Sequence, residues 1–103
     1  MAVITVTESN FEKEVLSVQG KVLLDFWASW CGPCQMMAPV VHSVADERSD
    51  VKVGKINVDE EGALAQKFGI MSIPTLILLE NGKPLRQLVG YRVKDEVVKF
   101  LDD

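Results

Sequence analysis

The sequence predicts a single α/β domain over residues 1–103, in which a mixed five-stranded sheet carries helices on both faces. The length of 103 residues and a hydrophobic content of 48 % suit one domain with a substantial core. Strand and helix patterns alternate along most of the chain, and a hairpin signal follows them. No repeat, low-complexity tract or linker-like stretch interrupts this order.

The first elements are a short strand, a helix and a central strand. Residues 3–6 predict the short strand. The apolar side chains of residues 11–16 share one face of a helix, which Thr7, Ser9 or Asn10 could cap. Residues 22–27 form a nearly unbroken apolar run, which is typical of a strand covered on both faces. We therefore expect this strand at the centre of the sheet.

A long helix, a third strand and a short helix come next. Apolar residues at helical spacing predict a helix over residues 32–48, kinked at Pro39 because the proline ring removes one helical hydrogen bond. Residues 51–58 predict a strand. The acidic residues 59–61 favour the start of a short helix, which Gly69 would close.

The last third of the chain predicts an antiparallel hairpin and a final helix. Residues 75–79 and 85–89 are strand-like and are separated by Asn81-Gly82, the strongest short hairpin signal in the chain. Pro84 cannot donate a hydrogen bond to a neighbouring strand, so it predicts an edge position for the fifth strand. An amphipathic pattern near the end of the chain predicts the last helix.

The charge balance argues against polyanionic partners. The chain has 11 Lys and Arg against 15 Asp and Glu, a formal net charge of −4, whereas proteins that bind nucleic acids or membrane surfaces normally carry a basic face. No basic leader is visible, and no apolar run approaches the roughly 18 residues of a membrane span. We therefore expect a cytoplasmic protein with no nucleic-acid and no membrane partner.

The most informative motif is Cys31-Gly32-Pro33-Cys34, which contains both cysteines of the chain. It lies where the central strand is predicted to meet the kinked helix. Backbone N–H groups in the first turn of a helix lack intrahelical partners, so they should favour the Cys31 thiolate, lower its pKa and make Cys31 the nucleophile. Cys34 follows on the same helix face, close enough for a reversible disulfide and for resolving a mixed disulfide.

Other roles for this motif are disfavoured. A structural zinc site needs four ligands, and the chain offers only Cys31, Cys34 and His42 as Cys or His ligands. Haem attachment needs a histidine directly after the second cysteine, where Gln35 stands. A purely structural disulfide would close a loop too short to constrain the unfolded chain much. We expect no metal and, because no glycine-rich dinucleotide-binding motif occurs, no bound cofactor.

Asp25 is the one charged residue in the predicted central strand. Burial without a partner would raise the pKa of its carboxyl group. Asp25 could accept the proton of Cys34 when a mixed disulfide is resolved, or it could be an acid neutralised by a buried partner. Lys55 is the obvious candidate for that partner because it shares strand parity with Val51 and Val53. Whether Lys55 also tunes the pKa of Asp25 stays open.

Several short segments occur in a specific order and spacing. They are Asp25-Phe26-Trp27-Ala28, Trp30-Cys31-Gly32-Pro33-Cys34, Ala38-Pro39, Asn57-Val58-Asp59, Gly69-Ile70, Ile73-Pro74-Thr75, Asn81-Gly82 and Val89-Gly90. In this arrangement the chain resembles the thioredoxin family over essentially its whole length. The resemblance implies the thioredoxin fold, with strand order 1-3-2-4-5 and four flanking helices. It also implies a general protein-disulfide reductase, working through a redox-active Cys31–Cys34 disulfide.

The resemblance further implies the substrate-binding residues and the partners. A cis bond before Pro74 would place the Ile73 backbone beside Cys31, where a substrate segment could bind as an added strand. We expect the substrate-binding residues to be Trp30, Gly32, Pro33, Ile73, Pro74 and Gly90. Trp27 is expected in the core and His42 on a solvated helix face. The implied partners are a thioredoxin reductase and disulfide-containing target proteins, with the chain itself a monomer.

The sequence leaves two classes of function open. In the first, the chain is an electron donor that reduces disulfides in diverse proteins. In the second, the same docking face serves a redox-independent binding subunit whose thiols are dispensable. The intact cysteine pair with Asp25 behind it favours the reductase, because a binding module has no need of a lone buried acid. The chain departs from the commoner family pattern at Gln35, where the family often has a basic residue, and at Met71-Ser72 and Tyr91 on the expected rim. These departures bear on partner preference and redox potential rather than on the reaction.

Overall fold

The computed structural model describes residues 2–103, so Met1, which the predicted domain included, lies outside the described residues. The strands are β1 (Ile4–Thr5), β2 (Lys21–Trp27), β3 (Val51–Asn57), β4 (Thr75–Glu80) and β5 (Lys83–Val89). The helices are a π-helical turn (Glu12–Leu16), α1 (Gly32–Glu47), α2 (Gly62–Lys67) and α3 (Lys94–Asp102). The predicted alternation of strands and helices is therefore confirmed over the described residues.

The strands form one mixed sheet in the order β1-β3-β2-β4-β5. β2 lies at its centre, parallel to β3 and antiparallel to β4, as the apolar run of residues 22–27 predicted. The hairpin between β4 and β5 turns at Asn81 and Gly82, whose φ angles of 52° and 81° are those of a turn that matches strand twist. Pro84 lies on the edge strand β5, as expected.

The two faces of the sheet are covered by different helices. Because side chains alternate along a strand, Leu23 on β2 packs against α1 and α3, whereas its neighbour Leu24 packs against the π-helical turn and α2. Asp25 has the same parity as Leu23 and therefore faces the layer that contains α1. This alternation places Asp25, the one acid of the central strand, on the face of the sheet that α1 covers.

The first helix departs from the expected regular helix. The backbone N–H of Ser17 donates to the carbonyl oxygen of Glu12 at 2.9 Å, a separation of five residues that makes the turn π-helical. The side chain of Asn10, a predicted cap, instead accepts a hydrogen bond from the Thr7 backbone N–H at 2.8 Å. No side chain among the described residues caps this helix, so the capping prediction is wrong.

The acidic residues 59–61 precede α2 rather than form its first turn. The backbone N–H groups of Glu60 and Glu61 both donate to the carbonyl oxygen of Asn57, at 3.2 and 2.9 Å, and the Asn57 side chain accepts from the Asp59 N–H at 2.9 Å. These bonds close a turn around Asn57, so α2 begins only at Gly62. The turn positions Asp59 at the end of β3, next to the site described below.

Candidate active site

Cys31 caps the N-terminus of α1. Its backbone is extended, with φ −91° and ψ 110°, and its sulfur accepts a hydrogen bond from the backbone N–H of Cys34 at 3.2 Å. Pro33 lies in the first turn, where its missing N–H would have no helical partner anyway. One N–H group of the helix start, that of Cys34, therefore points at the Cys31 sulfur, as the motif predicted.

Cys31 and Cys34 form a disulfide, with their Cα atoms 5.2 Å apart. Both side chains are buried, and they pack with Ala28, Trp27 and Ile73 in a small apolar cluster. Cys31 borders the open groove described next, whereas Cys34 lies behind it and does not line the groove. A molecule in the groove therefore meets the Cys31 side of the disulfide.

An open groove of about 470 Å³ runs beside the disulfide. Its lining residues are Trp30, Cys31, Gly32, Pro33, Val58, Ala65, Ile70, Met71, Ser72 and Ile73. The predicted binding residues Trp30, Gly32, Pro33 and Ile73 all lie in it, and among the described residues the lining holds no charged side chain. Sequence reasoning did not identify Val58, Ala65 and Ile70 as site residues, because an apolar side chain by itself gives no signal for a groove.

Trp30 forms one wall of this groove and is 70 % exposed. Its indole Nε1–H donates to a carboxylate oxygen of Asp59 at 2.8 Å. Asp59 was not predicted as a site residue, since its motif gave no hint that the turn after β3 would reach the indole. The hydrogen bond holds one edge of the ring and leaves much of the ring in solvent.

Ile73 lies beside Cys31, and Pro74 connects Ile73 to Gly90. The Ile73–Pro74 peptide bond is cis, as the resemblance implied, and the Ile73 carbonyl oxygen lies 3.9 Å from the Cys31 sulfur. Pro74 is buried, and its carbonyl oxygen accepts a hydrogen bond from the Gly90 N–H at 2.8 Å. Gly90 has φ +92°, and a Cβ added there would meet no atom within 4 Å. The space beside Gly90 is therefore open.

Asp25 is 1 % exposed, and neither carboxylate oxygen has a hydrogen-bond partner among the described residues. Burial raises the pKa of Asp25 to about 6, and the nearby Lys55 charge opposes this rise. Lys55 is the register partner of Asp25 on β3, but its ammonium group lies over the Trp27 ring, 4.5 Å from the ring centre. Lys55, the predicted partner of Asp25, therefore acts on Asp25 through its charge and not through a hydrogen bond.

Three other residues singled out from the sequence lie outside the groove lining. Trp27, expected in the core, is only partly buried and borders a second, smaller pocket. Its ring contacts the disulfide cluster, and Lys55 lies over the ring. His42 is exposed on α1, as expected. The Gln35 side-chain amide donates to the Ser29 carbonyl oxygen at 2.8 Å, so it braces the loop before Cys31 without adding a charge.

The described residues contain no group of three or more His, Cys, Asp or Glu side chains that could hold a metal ion. Over residues 2–103, no helix is both long enough and apolar enough to cross a bilayer. The redox group that the site does contain is the Cys31–Cys34 disulfide.

Comparison with known proteins identifies close relatives over the full chain. A family model described as Thioredoxin matches residues 2–103. The thioredoxin of Alicyclobacillus acidocaldarius subsp. acidocaldarius is 50 % identical over 105 residues, which cover 99 % of this chain and 97 % of that protein. The thioredoxin of Mycobacterium tuberculosis (strain ATCC 25618 / H37Rv) is 46 % identical over 103 residues, covering 99 % and 89 %. The bifunctional thioredoxin reductase/thioredoxin of Mycobacterium leprae (strain TN) is 44 % identical over 101 residues, 97 % of this chain and 22 % of that protein.

Proposed function

The chain belongs to the thioredoxin family of thiol–disulfide oxidoreductases, and from this premise we propose how its residues share the work of reducing protein disulfides. The observation that carries the proposal is a disulfide at a helix N-terminus of which only Cys31 borders the groove. The alternative of a redox-independent binding subunit gains no support, because the cysteine pair and the named relatives both indicate a reductase.

In the first step, the reduced Cys31 thiolate attacks one sulfur of a substrate disulfide. The Cys31–substrate bond forms, the substrate S–S bond breaks, and the other substrate sulfur leaves as a thiolate. The Cys34 N–H, which lies 3.2 Å from the Cys31 sulfur, and the dipole of α1 favour negative charge at this position. The assignment of Cys31 as nucleophile is supported by its place at the helix start and at the groove.

In the second step, Cys34 attacks the Cys31 sulfur, closes the internal disulfide and releases the second substrate thiol. Cys34 must lose its proton for this step, and Asp25 is the proposed acceptor. A buried carboxylate whose pKa is about 6 can accept a proton near neutral pH and lies on the side of the sheet that α1 covers. Lys55 is proposed to tune Asp25, because its charge keeps the pKa of Asp25 from rising further.

The groove is the proposed docking site for the polypeptide segment that carries the substrate disulfide. Trp30, Gly32, Pro33 and Ile73 line it. Gly90 extends the surface at one end, where the open space beside it admits a substrate backbone. The buried Pro74 holds Gly90 there, because its carbonyl oxygen accepts the Gly90 N–H hydrogen bond. The uncharged lining favours extended segments with apolar or neutral side chains around the disulfide.

Oxidised protein needs a separate source of electrons, and we propose a thioredoxin reductase as that partner. The Mycobacterium leprae relative, named as a bifunctional thioredoxin reductase/thioredoxin, supports this pairing because one chain there carries both activities. We propose that the chain acts as a monomeric single domain in the cytoplasm, where disulfide-containing proteins are its targets.

The roles of the two cysteines are tested by trapping the mixed disulfide with insulin. Cys34→Ser should attack insulin and accumulate a covalent adduct visible on a non-reducing gel, since only the resolving step is lost. Cys31→Ser should form no adduct. Adducts from Cys31→Ser alone would reverse the assignment, and a wild-type protein that fails to accelerate insulin reduction by dithiothreitol would refute the proposed function.

A further inference from the structure

The methionines of the described chain differ sharply in exposure. Met71 is 96 % exposed and Met36 is 59 % exposed, whereas Met37 is completely buried. Met37 packs in the core beneath α1, where its sulfur lies 3.5 Å from the Arg92 backbone N–H. Met36 and Met71 therefore present their thioether sulfurs to solvent, and Met37 does not.

Met71 and Met36 differ in where that sulfur lies. Met71 lines the groove beside Cys31 and follows Ile70, another lining residue. Met36 lies on α1 and is not part of the lining. The Met71 side chain thus extends the uncharged groove outward, as a flexible apolar surface that can adapt to different bound segments.

We propose that Met71 is a site of oxidation by peroxide, and that its sulfoxide weakens the docking of protein substrates without altering the Cys31–Cys34 chemistry. The Met71 thioether attacks one oxygen of hydrogen peroxide, so an S–O bond forms and the O–O bond breaks. The sulfur loses two electrons to the peroxide, and the leaving hydroxide takes the remaining proton to become water. The products are methionine sulfoxide and one water molecule.

The consequence for binding follows from the polarity of the product. A sulfoxide oxygen is a hydrogen-bond acceptor that is hydrated in the free protein, and an apolar segment lying over it would remove that water without replacing the hydrogen bond. Small disulfides that reach Cys31 without covering Met71 escape this penalty. The inference rests on the proposed docking groove, and it predicts a change in KM for protein substrates rather than in kcat.

The test uses the full chain in its disulfide form, in which both cysteines are protected from peroxide. After treatment with hydrogen peroxide and removal of the excess with catalase, peptide mass spectrometry reports which methionine has gained oxygen. The protein is then assayed with dithiothreitol, which regenerates the dithiol, on insulin and on oxidised glutathione. We expect Met71 to be oxidised first and Met37 last, and the KM for insulin to rise about threefold to tenfold.

Two variants give the matched controls. Met71→Leu keeps an apolar side chain of similar volume but has no oxidisable sulfur, so the ratio of treated to untreated KM should stay near unity. Met36→Leu should retain wild-type activity and lose affinity for insulin on treatment just as the wild type does. The rate with oxidised glutathione should be the same before and after treatment in all these proteins.

The inference is overturned if Met36 is oxidised while Met71 is not, if fully oxidised Met71 leaves the insulin KM unchanged, or if Met71→Leu responds like the wild type. Because oxidation is read by mass in the wild type itself, the test does not depend on either variant folding normally. An untreated wild type that cannot reduce insulin would instead refute the proposed function, so the two failures are distinguishable.

Discussion

Asp25 and Lys55 are register partners on β2 and β3, yet no hydrogen bond joins their side chains. The Lys55 ammonium lies over the Trp27 ring instead, 4.5 Å from its centre, where a cation is attracted by the aromatic face. The Asp25 carboxylate is left buried with only a through-space interaction with Lys55 to offset its desolvation. A buried acid in this state lowers the stability of the fold when it is ionised, and its pKa of about 6 lies close to neutral pH.

Replacing the acid by its neutral isostere should stabilise the protein at neutral pH. The pKa of Asp25 is raised from 3.8 to about 6, so the folded state binds the proton more tightly than the unfolded state. The free energy of unfolding of the wild type should therefore fall as the pH rises from about 4 to about 6, and this contribution should then stay constant. Asp25→Asn should remove that fall and raise the free energy of unfolding at pH 7.5 by about 1 to 3 kcal/mol.

Urea unfolding of wild type and Asp25→Asn between pH 4 and pH 8 measures this difference. The same variant should resolve the insulin adduct slowly, and without the loss of rate that the wild type shows as the pH falls through about 6. A variant that is less stable at pH 7.5 and resolves the adduct at the wild-type rate would make Asp25 a satisfied structural group.

Removing the Lys55 charge should shift the titration of Asp25 upward. Since the Lys55 charge lowers the pKa of Asp25, Lys55→Gln should raise it beyond the wild-type value and extend the pH-dependent loss of stability to higher pH. Lys52→Gln is the matched control, because it removes the same charge from the opposite face of β3, where Lys52 pairs with Glu14 at 2.7 Å. NMR titration of the Asp25 carboxyl group in the three proteins measures this shift. A midpoint in Lys55→Gln equal to that of the wild type would exclude Lys55 as a residue that tunes the pKa of Asp25.

The features that were predicted correctly are those that local sequence controls. The apolar run of residues 22–27 requires cover on both faces, so it identified β2 as central. Asn81 and Gly82 both adopt positive φ, which fixes the hairpin between β4 and β5. The spacing of Cys31 and Cys34 at a strand–helix junction defines the disulfide and its place at the N-terminus of α1. The strand order came from the family resemblance and not from these patterns.

The features that were missed depend on how elements meet in three dimensions. Lys55 has the right parity to reach Asp25, but a side chain with four flexible carbons can reach the Trp27 face equally well, and no pattern chooses between them. Val58 and Ile70 line the same groove as Cys31, and periodicity within one element does not encode which elements border a shared groove. Asn10 can serve either a helix cap or a turn, and here the Thr7 N–H takes its oxygen.

Loss of the Asp59 carboxylate should weaken substrate binding while leaving the fold intact. Asp59→Ala removes the acceptor for the Trp30 indole, so the ring becomes free to leave the groove wall. The bond is exposed, and its loss should change the free energy of unfolding by less than about 1 kcal/mol. The KM for insulin should increase several-fold and the tryptophan emission should change.

The neighbouring acid provides the control for this prediction. Glu60→Ala removes the same charge from the same turn, and the backbone hydrogen bond from Glu60 to Asn57 survives the substitution. It should leave both the KM and the emission close to wild type. Equal increases of KM in Asp59→Ala and Glu60→Ala would assign the effect to charge rather than to the position of Trp30.

Alanine substitutions at Gly90 and Gly20 together distinguish the effect of backbone strain from the effect of substrate contact at the docking surface. Their φ angles of +92° and +96° are nearly equal, a Cβ added to either meets no atom within 4 Å, and each donates one backbone N–H hydrogen bond that alanine would keep. Gly90→Ala and Gly20→Ala should therefore each lower the free energy of unfolding by about 1 to 2 kcal/mol, because L residues are strained at these angles.

The two glycines differ in their distance from the proposed docking surface. Gly20 precedes β2, at the end of the sheet away from Cys31, whereas the Gly90 N–H donates a hydrogen bond to Pro74. A methyl group at Gly90 would occupy the space proposed for the substrate backbone, so only Gly90→Ala should raise the insulin KM, while its rate with oxidised glutathione stays near that of Gly20→Ala. Urea unfolding and steady-state kinetics on both variants check this pair, and equal insulin KM values would remove Gly90 from the docking surface.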